Sequence, residues 1–132
     1  MMRFIVALAI AMCGLSTATS AQTLLMPSVW QNQRGSIMKI TATDPSNGAF
    51  TGVYINNGDG IGFRCQSTPY DVSGRVRGTR VAFRVVWRNF VEDCHSTTVW
   101  SGRTTGGIMA TRWILTNDGG GTVRGRDTFQ RK

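Results

Sequence analysis

From Trp30 onward, apolar and polar residues alternate at a period of two, and no stretch repeats its apolar positions at the helical period of 3.6. The clearest case is 79–88, where Val81, Phe83, Val85 and Trp87 share one face and Arg80, Arg84 and Arg88 the other. Successive side chains of a strand point to opposite sides, so the guanidinium row faces water and the apolar row faces a core. Segments of this kind, rich in Val, Ile, Thr and aromatics, predict strands near 28–33, 36–43, 49–57, 69–77, 79–88, 97–105, 107–116 and 125–131. Between them stand Asp44-Pro45-Ser46-Asn47-Gly48, Gly106-Gly107 and Asn117-Asp118-Gly119-Gly120-Gly121, residues suited to tight or left-handed backbone. The predicted class is all-β.

Eight sequential antiparallel strands in one small domain close most economically into an up-and-down β-barrel, which removes the exposed edges; a two-sheet sandwich is the alternative. A barrel of that size is filled by side chains or holds one small ligand. Its inward face therefore decides the function. Alternation puts Trp30 and Asn32 inward on the first strand and Ser36, Met38 and Ile40 on the second. On the third come Phe50, Gly52, Tyr54 and Asn56, and on the sixth Thr98, Trp100 and Gly102. Met109, Thr111, Trp113 and Leu115 follow on the seventh, and Asp127 and Phe129 on the last. Asn32, Tyr54, Asn56, Trp87 and Trp113 come late on odd strands, while Ser36, Thr98, Trp100 and Asp127 come early on even ones. In a meander all of these lie toward the same end.

A lone inward Trp is usually core, and a lone Asn or Ser near a turn usually bonds backbone. Their convergence is different, because each buried amide or carboxylate needs a partner. Aromatic walls around a few polar groups describe a small-molecule pocket.

Composition adds a compartment and a rival hypothesis. The chain has 132 residues, 41% of them hydrophobic and 17% charged, enough to pack one domain. It opens with Met1-Met2-Arg3, an apolar run from Phe4 to Leu15 and small residues from Ser16 to Ala21. That is the layout of a secretory signal peptide, with cleavage expected after Ala21 and a single domain over 22–132. The apolar run is too short to span a bilayer, so no membrane span is expected. A lipid-modified Cys13 is disfavoured by Met12, where such a signal wants a small residue. Cleavage leaves Cys65 and Cys94, which secretion makes a disulfide candidate; two Cys and the adjacent His95 do not supply four metal ligands. The formal charge of +8 raises nucleic acid or an anionic polymer as a partner for the outward Arg80, Arg84, Arg88, Arg103 and Arg112. No aromatic residues interleave these arginines for stacking, so a solvated face is the simpler reading.

Six segments carry a family resemblance: Trp30 to Ser36 (WQNQRGS), Thr51 to Tyr54 (TGVY), Val86 to Asn89 (VWRN), His95 to Gly102 (HSTTVWSG), Arg112 to Thr116 (RWILT) and Gly125 to Phe129 (GRDTF). In order and at strand spacing, they resemble the successive motifs of the avidin and streptavidin family across essentially the whole mature domain. The segments around Cys65 and Cys94 and the residue Asn56 are most similar to the rhizavidin-like dimeric bacterial branch, whose paired cysteines tie the third loop to the fifth. The resemblance implies an eight-stranded barrel that binds biotin without catalysis, with no cofactor or metal. It implies that Asn32, Ser36 and Tyr54 donate to the ureido oxygen, that Asp127 and Asn56 accept from the ureido N–H groups, and that Trp87, Trp100 and Trp113 wall the bicyclic ring. Thr98 would lie near the sulfur, and Ser96 with backbone near Asn57 and Gly58 would meet the carboxylate. Tetrameric members bring a tryptophan from a neighbour between the last two strands, whereas Asn117 to Arg124 has none. A homodimer is therefore expected, with Val86, Val99, Ala110 and Ile114 as interface candidates. A lipocalin-like barrel for another ligand is the alternative within the same architecture.

Overall fold

A computed structural model describes residues 26–58, 65, 66, 68–89 and 94–132. Among them run eight strands: β1 Ser28–Asn32, β2 Ile37–Asp44, β3 Ala49–Ile55, β4 Pro69–Arg77, β5 Arg80–Asn89, β6 Cys94–Thr105, β7 Ile108–Asn117 and β8 Thr122–Arg131. Each pairs antiparallel with the next, and β8 returns to β1 through Trp30 opposite Arg131 and Asn32 opposite Phe129, closing the barrel. The sandwich alternative is thereby excluded. The expected leader over 1–21, Cys13, and residues 59–64 of the third loop lie outside the described residues.

Two strands are longer than alternation suggests. β6 starts at Cys94, where Cys94, His95 and Ser96 face Asn89, Arg88 and Trp87. β8 starts at Thr122, paired with Thr116. The β8 extension rests on backbone pairing and buries little apolar surface, Val123 being 53% exposed, so hydrophobic patterning does not register it. In β2 a bulge between Ile40 and Ala42 shifts the register against β3. Gly52 lies opposite Ile40, and a side chain there would collide with the Lys39 carbonyl.

The closed end of the barrel, reached by the β2–β3, β4–β5 and β6–β7 turns, is apolar. Trp30, Ile40, Phe50, Val76, Val81 and Met109 are buried there, each large side chain contributing about 1.5–3 kcal/mol of burial. Trp30 satisfies its indole N–H on Ser28 Oγ at 2.9 Å. Above this plug Phe83 stacks on Trp100, with ring centroids 5.0 Å apart and planes 14° apart. The outward arginines Arg80, Arg84, Arg88, Arg103 and Arg112 are exposed, and Arg88 pairs with Asp118 at 3.5 Å.

At the open end, buried Cys65 and Cys94 form a disulfide with Cα atoms 5.9 Å apart, joining the segment after β3 to the start of β6. Their sequence separation of 29 residues is long enough for the cross-link to restrict the unfolded chain appreciably. Replacing both cysteines by serine should lower the unfolding free energy by about 3–4 kcal/mol, read as a lower urea midpoint.

Candidate ligand-binding site

The open end collects the polar residues. Asn32 terminates β1, and its side-chain oxygen accepts the backbone N–H groups of Arg34 (3.0 Å) and Ser36 (2.9 Å). This organises a turn whose Gly35 has a φ of 86°, a left-handed conformation costly for other residues. With its oxygen so used, Asn32 presents its amide N–H toward Tyr54 Oη, 3.5 Å away. Ser36 Oγ accepts from the Asn57 backbone N–H at 3.1 Å and donates to Asn56 Oδ1 at 3.2 Å. The same Asn56 oxygen accepts the Gly58 N–H at 3.1 Å.

Asp127, near the middle of β8, is 4% exposed. Its Oδ2 accepts the Trp100 indole N–H at 2.8 Å and its Oδ1 accepts Gln33 Nε2 at 3.1 Å. Gln33 in turn accepts the Thr128 backbone N–H at 2.9 Å, so one side chain braces the β1–β2 turn against β8. Trp87 donates its indole N–H to Thr98 Oγ1 at 2.8 Å. Tyr54 packs between Trp87 and Trp100, with centroids at 5.7 and 5.0 Å. Burial, reinforced by the negative charge of Asp127, holds its phenol well above the ordinary value of 10.0 and therefore protonated as a donor.

Trp113 is only partly buried, and it lies so close to Gly125 that a β-carbon there would overlap the indole. The Arg34 guanidinium stands 5.9 Å from the Trp113 ring centroid. Ser96 is buried and faces Trp87 across the β5–β6 ladder. Direct hydrogen bonds thus connect Asn32 with Tyr54, Ser36 with Asn56, Trp100 with Asp127, and Trp87 with Thr98. Ser96 and Trp113 join the group by position at the same end.

Four contributors were not among the inward residues read from the sequence. Gln33 and Arg34 sit in a turn, where parity does not apply. Gly125 carries no side chain to count, although it falls on the inward parity of Asp127. Tyr70 obeys the same positional rule as Ser36 and Thr98, lying early on an even strand. It is buried edge-on against Trp87 with centroids 4.9 Å apart, and its hydroxyl has no hydrogen-bond partner among the described residues. Such a group in a native interior is uncommon and leaves room for a water or ligand contact.

Three inward donors, from Asn32, Ser36 and Tyr54, are thus grouped with two carbonyl or carboxylate acceptors, Asn56 and Asp127. That set is complementary to a carbonyl flanked by N–H groups, held between indole faces. It contains no nucleophile–base pair, and among the described residues no three His, Cys, Asp or Glu side chains gather as a metal site.

A family model described as "Avidin family" matches residues 20–132. Afifavidin from Afifella pfennigii is 34% identical over 125 residues, covering 87% of this chain and 76% of that protein. Among solved structures, a rhizavidin–biotin complex superposes with a TM-score of 0.71 at 39% identity, covering 81% of this chain and 92% of that one. A short afifavidin–biotin complex superposes with a TM-score of 0.72 at 33% identity, covering 86% and 96%.

The raised Tyr54 phenol predicts an alkaline limit on stability. Below pH 10 both folded and unfolded chains keep this proton; above it only the unfolded chain loses it, so stability falls as pH rises toward the elevated folded value. The expected slope is about 1.4 kcal/mol per pH unit in that window. Urea unfolding of wild type and Tyr54→Phe between pH 9 and 11 checks it, since the variant should lack this component of the slope.

Proposed function

This chain belongs to the avidin family, and from that membership we propose that the open end of its barrel is a biotin site. The protein is a noncatalytic biotin binder: the activity is recognition, not turnover. What carries the assignment to these residues is the convergence of donors from Asn32, Ser36 and Tyr54 opposite acceptors on Asp127 and Asn56. A ureido oxygen accepting three hydrogen bonds gains negative charge, and its two N–H groups become better donors. Asp127 and Asn56 accept them, the bond to the carboxylate being charge-assisted. Because the pocket groups already hold one another through hydrogen bonds, little side-chain entropy is lost when the ligand replaces those contacts.

Trp87, Trp100 and Trp113 are proposed to offer the faces for the bicyclic ring, and Thr98, bonded to Trp87, is proposed to lie near the ring sulfur. Ser96 and the Asn57 and Gly58 backbone are proposed for the carboxylate end. With biotin inside the barrel, the outer arginines need no nucleic-acid partner.

The barrels are further proposed to pair. Val86, Val99 and Ile114 are 40%, 46% and 37% exposed on adjoining strands β5, β6 and β7, with Val99 directly opposite Ile114 in the ladder and Ala110 exposed nearby. Exposed apolar side chains grouped on adjoining strands suit an association surface. The β7–β8 connection is short and holds no Trp that could reach a neighbour's pocket, which supports a dimer over a tetramer. Residues 1–21 are proposed as a cleaved secretory leader, and the family match beginning at residue 20 supports that boundary.

Calorimetric titration should show one biotin per chain, and a folded protein that ignores biotin would refute the function. Asp127→Ala should weaken biotin at least tenfold, since it removes a charge-assisted bond of about 1.5–3 kcal/mol, while Arg80→Ala on the outer wall should change affinity less than twofold. Light scattering should return twice the mass of one chain, falling to one on Val99→Arg; a wild-type monomer or tetramer would contradict the dimer.

A further inference from the structure

On the outer wall of the barrel the strand register sets arginines beside one another. Arg77 of β4 stands opposite Arg80 of β5, and Arg80 stands opposite Arg103 of β6, so three cations lie in line across three strands. One step toward the open end, Arg75 faces Ala82 and Ala82 faces Ser101. This small pair leaves a depression that the long side chains of Arg75, Arg77, Arg80 and Arg103 surround, a groove of about 440 Å³. All four arginines are exposed, and none of them makes an ion pair among the described residues. Arg103 Nη1 donates to Thr79 Oγ1 at 3.2 Å, which steadies its guanidinium at the groove edge.

Like charges directly opposite each other in a ladder repel and destabilise the sheet. Two such pairs in succession, Arg77 with Arg80 and Arg80 with Arg103, border a hollow where no carboxylate answers them. An anion from outside would turn that repulsion into attraction. We propose that this groove binds a compact multivalent oxyanion, a free chain of two or three linked phosphoryl groups. The planar guanidinium offers parallel N–H donors that match two oxygens of one phosphoryl group, and the charge on both partners strengthens each bond. Neighbouring strands are about 4.8 Å apart, so the backbones of Arg77 and Arg103 are separated by about 10 Å. A single phosphate cannot answer cations spread so far, whereas linked phosphoryl groups bring an anionic oxygen to each. A nucleic-acid strand fits less well, because no aromatic side chain lines the groove for a base to stack on. The groove is on the far side of the barrel wall from the lumen, so its occupancy does not depend on biotin.

The probe is sodium tripolyphosphate, titrated calorimetrically into the full chain at pH 7 and constant ionic strength without divalent cations, beside orthophosphate and an oligothymidylate strand. One tripolyphosphate should bind per chain, saturably, with orthophosphate at least tenfold weaker. Arg80→Gln and Arg103→Gln, each first shown to be folded by circular dichroism, should weaken tripolyphosphate at least fivefold. Lys39→Gln removes the same charge from exposed β2 and should change its affinity less than twofold. Binding that does not saturate, or equal losses in Lys39→Gln and Arg80→Gln, reduces the groove to a diffuse basic surface and overturns the proposal. An oligothymidylate that binds more tightly than tripolyphosphate and loses affinity in the same arginine variants overturns it in favour of nucleic acid. Tripolyphosphate that displaces biotin would put the anion at the mouth of the lumen, and that result also overturns the outer-wall site. A chain that binds tripolyphosphate in this pattern but ignores biotin refutes the biotin reading alone.

Discussion

A carboxylate buried inside a protein has to be held by donors or it does not stay charged, and Asp127 is the group around which the open end of this barrel is arranged. An unpaired buried charge costs several kcal/mol. Here Trp100 supplies one donor from β6, Gln33 supplies another from the β1–β2 turn, and Arg34 adds a cation at the mouth. None of these is a sequence neighbour of Asp127. They meet it because β8 closes onto β1 and β6 stands two strands away, so barrel closure is what brings the carboxylate its partners. Tyr54 follows from it, since the negative charge of Asp127 reinforces burial in keeping the phenol protonated and able to donate.

The barrel divides its labour along its axis. The closed end is a plug of Trp30, Ile40, Phe50, Val76, Val81 and Met109, which supplies much of the apolar burial and has no chemistry to offer. The open end instead gathers polar groups whose hydrogen bonds are made to one another. Ser36 to Asn56 and Asn32 to Tyr54 are such pairs. Their mutual contacts keep them aligned, as the proposed biotin site requires. The disulfide between Cys65 and Cys94 ties the third loop to β6 at this same end.

The sequence was most legible where strands are regular. Alternation through 79–88 placed Trp87 inside and the arginines outside, and the same reading placed Asn32, Ser36, Tyr54, Thr98, Trp100 and Asp127 in the lumen, where the structure has them buried. Ser96 was reached only through resemblance. Regular β-structure has a period of two whatever it packs against, so parity survives without knowledge of the fold. It failed in two ways. The first three residues of β8 are held by backbone pairing with β7, to which side-chain pattern is blind. Gln33 and Arg34 belong to a turn, where neighbouring side chains no longer point to opposite sides.

By itself the sequence determined the strand count, which face of seven of the eight strands turns inward, and through its motifs the family and its ligand, because these depend on local periodicity and residue identity. The tertiary structure alone decided which inward groups touch: that Gln33 reaches Asp127, that Arg34 bridges Trp113 and the carboxylate, that Gly125 makes room for an indole, and that the Tyr70 hydroxyl is left unpaired among the described residues. Those contacts join residues as many as 94 positions apart. Only closing the barrel brings the first turn against the last strand, and no local rule carries that distance.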